Sequence, residues 1–144
     1  MRADAFMLAP GHAEGAPLVL DEPLSFWGGV DPETGTITDT HHPQVGASLT
    51  GRIVVLPGGR GSSSSSSVLA ETIRNGSGPS GLVLGSRDPI LALGSLVARE
   101  LYRRAVPIVA VDDDTYGACR VAREITLDAG DGGARITIGS GNWQ

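Results

Sequence analysis

The chain has 144 residues, among them 21 glycines, nine prolines and one cysteine. Its 11 Lys and Arg against 16 Asp and Glu give a net charge of −5, and no basic stripe forms, which argues against a nucleic-acid-binding surface. No apolar run approaches the roughly 20 residues that span a membrane, and no signal-peptide core is present. We expect a single domain over 1–144. The lone Cys119 cannot form an internal disulfide or hold a metal cluster by itself, and it fits a cytoplasmic location.

The apolar pattern predicts short strands joined by tight turns. The expected strands are 2–8, 18–20, 36–39, 51–56, 80–85, 106–112, 124–128 and 134–139. Asp31 to Gly35 ("DPETG") has Pro and Gly at positions typical of a turn.

Three helices are expected between the later strands. The first follows the serines and ends near Asn75, where Gly76 is a stop signal. The second begins at Asp88-Pro89, an N-cap followed by a first-turn proline. The third is a short helix around 114–123. The apolar residues at helical spacing in the second helix are expected to form its buried face: Ile90, Leu93, Val97 and Leu101.

The middle of the chain therefore reads β-α-β-α-β, which favours a parallel sheet with right-handed crossovers. The β-rich first third would then supply a second β layer or a small barrel. The simplest packing of these parts is an α/β fold, a three-layer β/β/α domain with a parallel sheet portion.

The most unusual stretch is Gly58-Gly59-Arg60-Gly61 followed by six serines, Ser62 to Ser67, between a strand and a helix. Free N–H groups and the dipole at a helix N-terminus favour an anion, and the same potential stabilises a serine alkoxide. The stretch is neither a Walker A loop, since it lacks the lysine, nor a G-x-S-x-G elbow. A capped helix with no chemistry is an equally good interpretation at this point.

Other polar residues have more ordinary interpretations. Trp27 precedes Gly28 and Gly29, and a core tryptophan before a glycine turn is favoured over a ligand contact. His41 and His42 are expected to be solvated loop residues, although one of them is a candidate to line the site. Asp112 to Asp114 follow a buried strand, and an N-cap with solvated charge is favoured over a Mg²⁺ site.

The segments "EPLSFWGGVDPETGTITD" and "HHPQVGASLTGRIVVLPGGRGSSSSSSVLAETIRNGSGPSGLVL" resemble the small, swivel-domain component of aconitase X. The resemblance covers roughly residues 14 to 113. It implies a swivelling β/β/α domain that works with a large catalytic subunit, and it places an iron or iron–sulfur centre in that partner. The two subunits together would form a heterodimeric cytoplasmic lyase.

The resemblance also implies residue roles. The serine base falls on Ser62, which would remove the proton alpha to the substrate carboxylate. Gly61, Ser63 and Ser64 would bind the substrate. Aconitases carry a substrate-binding arginine at the position of Ser64, so that role is reassigned to Arg60 by inference. The metal of the partner would act as a Lewis acid on the departing hydroxyl.

The family includes dehydratases of cis-3-hydroxy-L-proline, mainly bacterial, and of (R)-5-phosphomevalonate, mainly archaeal. Arg60 followed by six serines is closer to the bacterial pattern, so the expected reaction yields Δ1-pyrroline-2-carboxylate. Two alternatives stay open: the small subunit of phosphomevalonate dehydratase, and a stand-alone anion-binding module. The sequence leaves the roles of Ser65 to Ser67 undetermined.

Overall fold

The computed structural model describes residues 1–60 and 64–140, with the side chain of Ser140 excepted. Within these residues the strands are β1 (Arg2–Ala9), β2 (Gly11–Gly15), β3 (Pro17–Val19), β4 (Ile53–Leu56), β5 (Gly81–Leu84), β6 (Ile108–Ala110), β7 (Ala122–Gly130) and β8 (Gly133–Ser140). The helices are α1 (Phe26–Gly29), α2 (Ser64–Asn75), α3 (Pro89–Tyr102) and α4 (Asp113–Arg120). None of these helices has the length and apolar content needed to cross a membrane.

The strands follow the order β2-β7-β8-β1-β6-β5-β4-β3. From β3 to β6 all neighbours are parallel, and the two predicted βαβ units account for β4 to β6. β3 lies in the first third, which was expected to form the second β layer, but it pairs with β4 in the parallel sheet instead. From β6 through β1 to β2 all neighbours are antiparallel. β1 therefore belongs to both halves and joins them.

Two hydrophobic clusters define three layers. Alternate residues of β4 face opposite ways: Val54 and Leu56 pack towards α2 and α3, whereas Ile53 and Val55 pack towards the antiparallel strands. The layers are the helices, the sheet that contains the parallel strands, and the antiparallel sheet. This confirms the expected β/β/α architecture. The source of the second β layer differs from expectation, because the C-terminal hairpin β7–β8 supplies most of it and the first third supplies only β1 and β2.

Local helix signals were read correctly. Asp88 caps α3 by accepting hydrogen bonds from the N–H groups of Ile90 and Leu91, and Pro89 is its first residue. α2 ends at Asn75, and Gly76 follows with φ +75°. The predicted strand 36–39 is reduced to isolated bridges at Thr36 and Ile37.

The predicted apolar face of α3 is wrong. The buried residues are Leu91, Ala92, Gly94, Ser95 and Ala98, whereas Leu93 and Leu101 are 49% and 65% exposed. The reason is the close crossing of α3 with α2: a Cβ on Gly94 would lie 2.7 Å from the backbone oxygen of Ser66. Close approach places the small residues Ala92, Gly94, Ser95 and Ala98 on the buried face beside Leu91, and Leu93 and Leu101 turn outward.

The turn at Asp31 to Gly35 is formed as expected. The N–H of Gly35 donates to the carbonyl of Asp31 at 2.7 Å, and the N–H of Glu33 donates to the Asp31 carboxylate at 2.9 Å. Gly35 has φ +73°, and a Cβ there would lie 2.0 Å from the backbone oxygen of Ser77. This glycine is required both by its conformation and by the space around it.

Candidate functional site

The candidate site lies at one edge of the sheet, beyond the carboxyl ends of β3 to β6. Since these strands are parallel, the segments that follow them meet at this edge: 20–25, 57–60, 85–88 and 111–114. This is where ligands bind in open α/β sheets. The edge brings together Arg60, the start of α2 and the Asp112 segment.

The glycines after β4 permit close contact with the turn before α3. The N–H of Gly59 donates to Oδ2 of Asp88 at 2.9 Å, and a Cβ on Gly59 would approach that oxygen to 2.5 Å. A Cβ on Gly58 would lie 2.9 Å from Oγ of Ser86, which itself donates to the carbonyl of Pro57 at 3.0 Å. Hydrogen bonds therefore link the turn at 57–59 to the turn at 86–88.

Three of the predicted site residues, Gly61, Ser62 and Ser63, lie outside the described residues. The described chain on either side of them is held by one segment. The N–H of Arg60 donates to the carbonyl of Leu24 at 3.1 Å, and the N–H of Trp27 donates to Oγ of Ser65 at 3.3 Å. Segment 24–27 thus positions the described residues on both sides of 61–63. We refer to residues 58–64 as the serine loop.

The described serines of the tract differ in environment. Ser64 is exposed at the first position of α2, and Ser67 is exposed as well. Ser65 is buried, with 3% exposure, and accepts the Trp27 bond. Ser65 is therefore a packing residue, and Ser64 is the described serine that remains accessible to a ligand at the helix N-terminus.

Arg60 is available to a ligand. Its Nη2 atom lies 4.0 Å from Oε1 of Glu22, and the two side chains are 58% and 51% exposed. An exposed pair at this distance contributes little to stability, so the guanidinium is readily displaced towards an anion.

Trp27 is not in the core. Its side chain is 63% exposed, and the neighbouring Phe26 is the buried aromatic residue. The turn that presents Trp27 is fixed by the Ser25 hydroxyl, which donates to the carbonyl of Trp27 at 2.9 Å, and by Gly28 at φ +80°. The core interpretation is wrong because Phe26 fills the apolar space, which leaves the indole at the site edge.

The two histidines behave differently. His41 is exposed, as expected, but His42 is buried, with 4% exposure. Nε2 of His42 is 3.2 Å from the carbonyl of Glu22, and Nδ1 accepts the N–H of Gln44 at 3.0 Å. A proton on Nε2 and a lone pair on Nδ1 satisfy both contacts. His42 therefore supports segment 20–25 from behind.

Asp112 is the N-cap of α4, and it accepts the N–H of Thr115 at 2.8 Å. That hydrogen bond lowers the pKa of the Asp112 carboxyl from its ordinary value. Asp113 and Asp114 are exposed in the first turn. The cap interpretation is confirmed.

The described residues do not fit a metal centre. No three His, Cys, Asp or Glu side chains within 1–60 and 64–140 come together in a way that could hold an ion. Cys119 is a buried free thiol, and burial raises its pKa to about 11, so it is a poor thiolate ligand.

Sequence reasoning missed one charged residue at this edge, Arg87. Its guanidinium carbon lies 3.5 Å from the centroid of the Phe6 ring, which stands 81 positions earlier in the chain. Its position in the segment after β5, as Arg60 lies in the segment after β4, was the signal that could have found it.

Comparison with known proteins gives consistent results. A family model described as "Aconitase X swivel domain" matches residues 2–137. The cis-3-hydroxy-L-proline dehydratase of Pseudomonas aeruginosa is 47% identical over 106 residues, which are 74% of this chain and 18% of that protein. The chain thus spans less than a fifth of the length of this relative.

Two further proteins match over nearly the whole chain. The phosphomevalonate dehydratase small subunit of Methanothermobacter thermautotrophicus is 35% identical over 94% of this chain and 100% of its own length. The crystal structure of Thermococcus kodakaraensis aconitase X in its holo-form superposes with a TM-score of 0.79 at 29% identity, covering 96% of this chain and 98% of the matched one.

Proposed function

Because the chain belongs to the aconitase X swivel-domain family, we propose that residues 1–144 act as one domain, the small subunit of a hydro-lyase that dehydrates cis-3-hydroxy-L-proline to Δ1-pyrroline-2-carboxylate. The observation that carries the substrate is the 47% identity to a protein named cis-3-hydroxy-L-proline dehydratase. The proposal places the enzyme in the cytoplasm, in keeping with the free thiol of Cys119.

Ser62 is the base in this proposal. It stands two positions before Ser64, where α2 begins, so the positive potential of the helix N-terminus favours its alkoxide. The alkoxide takes the proton from C2 of the substrate, and the C3–O bond breaks to release the 3-hydroxyl as hydroxide. Return of the abstracted proton to this hydroxide gives water and restores the alkoxide, and the resulting enamine tautomerises to the cyclic imine. Arg60, Gly61, Ser63 and Ser64 hold the substrate against the loop.

The large aconitase X subunit is the proposed partner. A base and an anion-binding loop complete only half of a dehydration site, since the departing hydroxyl also needs stabilisation. The iron or iron–sulfur centre that serves this purpose is assigned to the large subunit, because the described residues of this chain do not fit a metal. The contribution of this chain is the proton transfer and the positioning of the substrate.

Phosphomevalonate is the second candidate substrate. It is favoured by the match over the full length of the Methanothermobacter small subunit, at 35% identity. The α2 N-terminus and Arg60 offer groups suited to a phosphate.

The test is a two-substrate assay with three samples: this chain alone, the large subunit alone, and the two combined. The proposal predicts that only the combination dehydrates cis-3-hydroxy-L-proline and that phosphomevalonate is left intact. Dehydration of phosphomevalonate instead would reverse the substrate assignment. Full activity of the large subunit alone would refute the role of this chain.

A further inference from the structure

A cavity with both polar and apolar lining opens at the site edge. It has a volume of about 430 Å³ and lies beyond the ends of β5 and β6, beside β1. Its chemically distinctive lining residues are Asp4, Phe6, Ser86, Arg87 and Asp112. A small ligand in this cavity would face a cation, two carboxylates and an aromatic ring.

Arg87 is held in a way that suits it for recognition. Its guanidinium stacks on Phe6 at 3.5 Å, and no carboxylate of residues 1–60 or 64–140 comes within ion-pairing distance of it. Stacking fixes the plane of the guanidinium but leaves its N–H edge open to a planar carboxylate, which can bind it in bidentate fashion.

The turn after β5, which lines the cavity, is hydrogen-bonded to the turn after β4. The Ser86 hydroxyl donates to the carbonyl of Pro57, and Asp88 accepts the N–H of Gly59. Neighbouring strands lie about 4.8 Å apart, so a ligand bound after β5 is close to segment 57–60, which follows β4.

The charges around the cavity favour one class of carboxylate ligand over another. Asp112 is a helix cap whose pKa lies below its ordinary value, so it stays ionised at neutral pH. Asp4 adds a second carboxylate to the wall; it is 91% exposed and lies 3.9 Å from Nη2 of Arg135. The two carboxylates oppose a polyanion at Arg87 and suit a zwitterion, whose carboxylate meets Arg87 and whose ammonium group meets the aspartates.

We propose that this cavity binds the amino-acid end of the substrate, with Arg87 as the ligand of its carboxylate. The inference rests on the proposed function and deepens it, because it ranks a zwitterionic cyclic amino acid above a phosphorylated hydroxy acid. Arg87 is then a second arginine at the site, in addition to Arg60.

Binding is tested without activity by NMR titration of the ¹⁵N-labelled chain with L-proline and, separately, with inorganic phosphate. We expect L-proline to shift the Arg87 Nε–H signal and the amides of Gly85 to Arg87, and phosphate to shift them less. Arg87→Gln should abolish the L-proline response. Arg74→Gln, at the far end of α2 in an exposed pair with Glu71, should retain it.

The outcomes separate the two proposals. A larger phosphate response, a response that survives in Arg87→Gln, or the absence of any response up to 50 mM (roughly the weak end of small-ligand affinity) overturns the cavity assignment. Unchanged spectra outside the cavity show that the variants are folded.

In the assembled enzyme, Arg87→Gln should raise KM for cis-3-hydroxy-L-proline at least about tenfold, the loss expected for a charge-assisted hydrogen bond. Arg87→Lys should recover part of this. If the wild-type complex is active and Arg87→Gln leaves KM unchanged, the cavity assignment fails while the function stands. If L-proline binds as predicted but the complex does not dehydrate cis-3-hydroxy-L-proline, the proposed function fails while the cavity assignment stands.

Discussion

Removing the Asp88 carboxylate tests the idea that the serine loop is anchored through the turn before α3. Asp88 accepts three backbone N–H groups: Gly59 at 2.9 Å, Ile90 at 2.9 Å and Leu91 at 3.3 Å. Loss of the helix cap costs about 1 kcal/mol, and leaving the Gly59 N–H without its partner costs about 1–3 kcal/mol. Since the Gly59 bond is only partly buried, we expect Asp88→Ala to lower the free energy of unfolding by about 2–3 kcal/mol.

The matched control is Asp112→Ala, which removes the N-cap of α4 and its Thr115 bond without touching the loop. It should cost only about 1 kcal/mol. Urea denaturation gives both free energies, and hydrogen exchange of the Gly59 amide reports the anchor directly. Asp88→Asn, which keeps one capping oxygen, should accelerate that exchange. Equal costs for the two alanine variants, with unchanged Gly59 exchange, would refute the anchoring argument.

Three further changes have defined outcomes. Gly35→Ala should lower the free energy of unfolding by well over the about 1–2 kcal/mol expected for a left-handed residue, because the new Cβ would meet a backbone oxygen. Gly46→Ala, with φ +92° and open space around it, should lower it by only that amount. Equal denaturation midpoints for the two variants would contradict this. The folded-state pKa of Cys119, raised to about 11, lies above its unfolded value. Its contribution to stability is therefore complete below pH 9 and falls as pH rises towards 11. The free energy of unfolding should decrease with pH across this range in wild type, and this decrease should be smaller in Cys119→Ala. The pKa of His12 is raised by its hydrogen bond to Asp128, so NMR titration should give a lower value in Asp128→Asn, and an unchanged value would count against the pair.

Local signals in the sequence predicted much of the fold. The buried strands, the Asp88-Pro89 start of α3 and the Gly76 stop depend on residues close together in the chain, so their outcome follows from composition and spacing. The parallel order of β4 to β6 follows from the crossover rule.

Features that depend on distant packing were not predictable in this way. The exposed face of α3 results from its approach to α2 at Gly94, which no spacing pattern within α3 reveals. Trp27 is exposed because Phe26 occupies the core, although either aromatic residue suited that position. The pairing of β8 with β1 and of β7 with β2 joins the two ends of the chain, and local propensity carries no information on it.

The candidate site was predicted in part. The structure brings Arg60 and Ser64 to one sheet edge with the Asp112 segment, as the parallel-strand rule indicates. The roles of Gly61, Ser62 and Ser63 stay predictions. Arg87 was missed because its partner, Phe6, comes from β1, and the contact exists only after β1 has paired with β6.

The most direct test of the central claim is the dehydration rate of the assembled complex carrying Ser62→Ala, with its metal content matched to wild type. The account predicts a loss of at least about 100-fold, the size expected for a positioned base. Ser67→Ala, an exposed serine of the same tract, should retain near-normal activity. Near-normal activity of Ser62→Ala with its metal intact would contradict the account and place the base elsewhere.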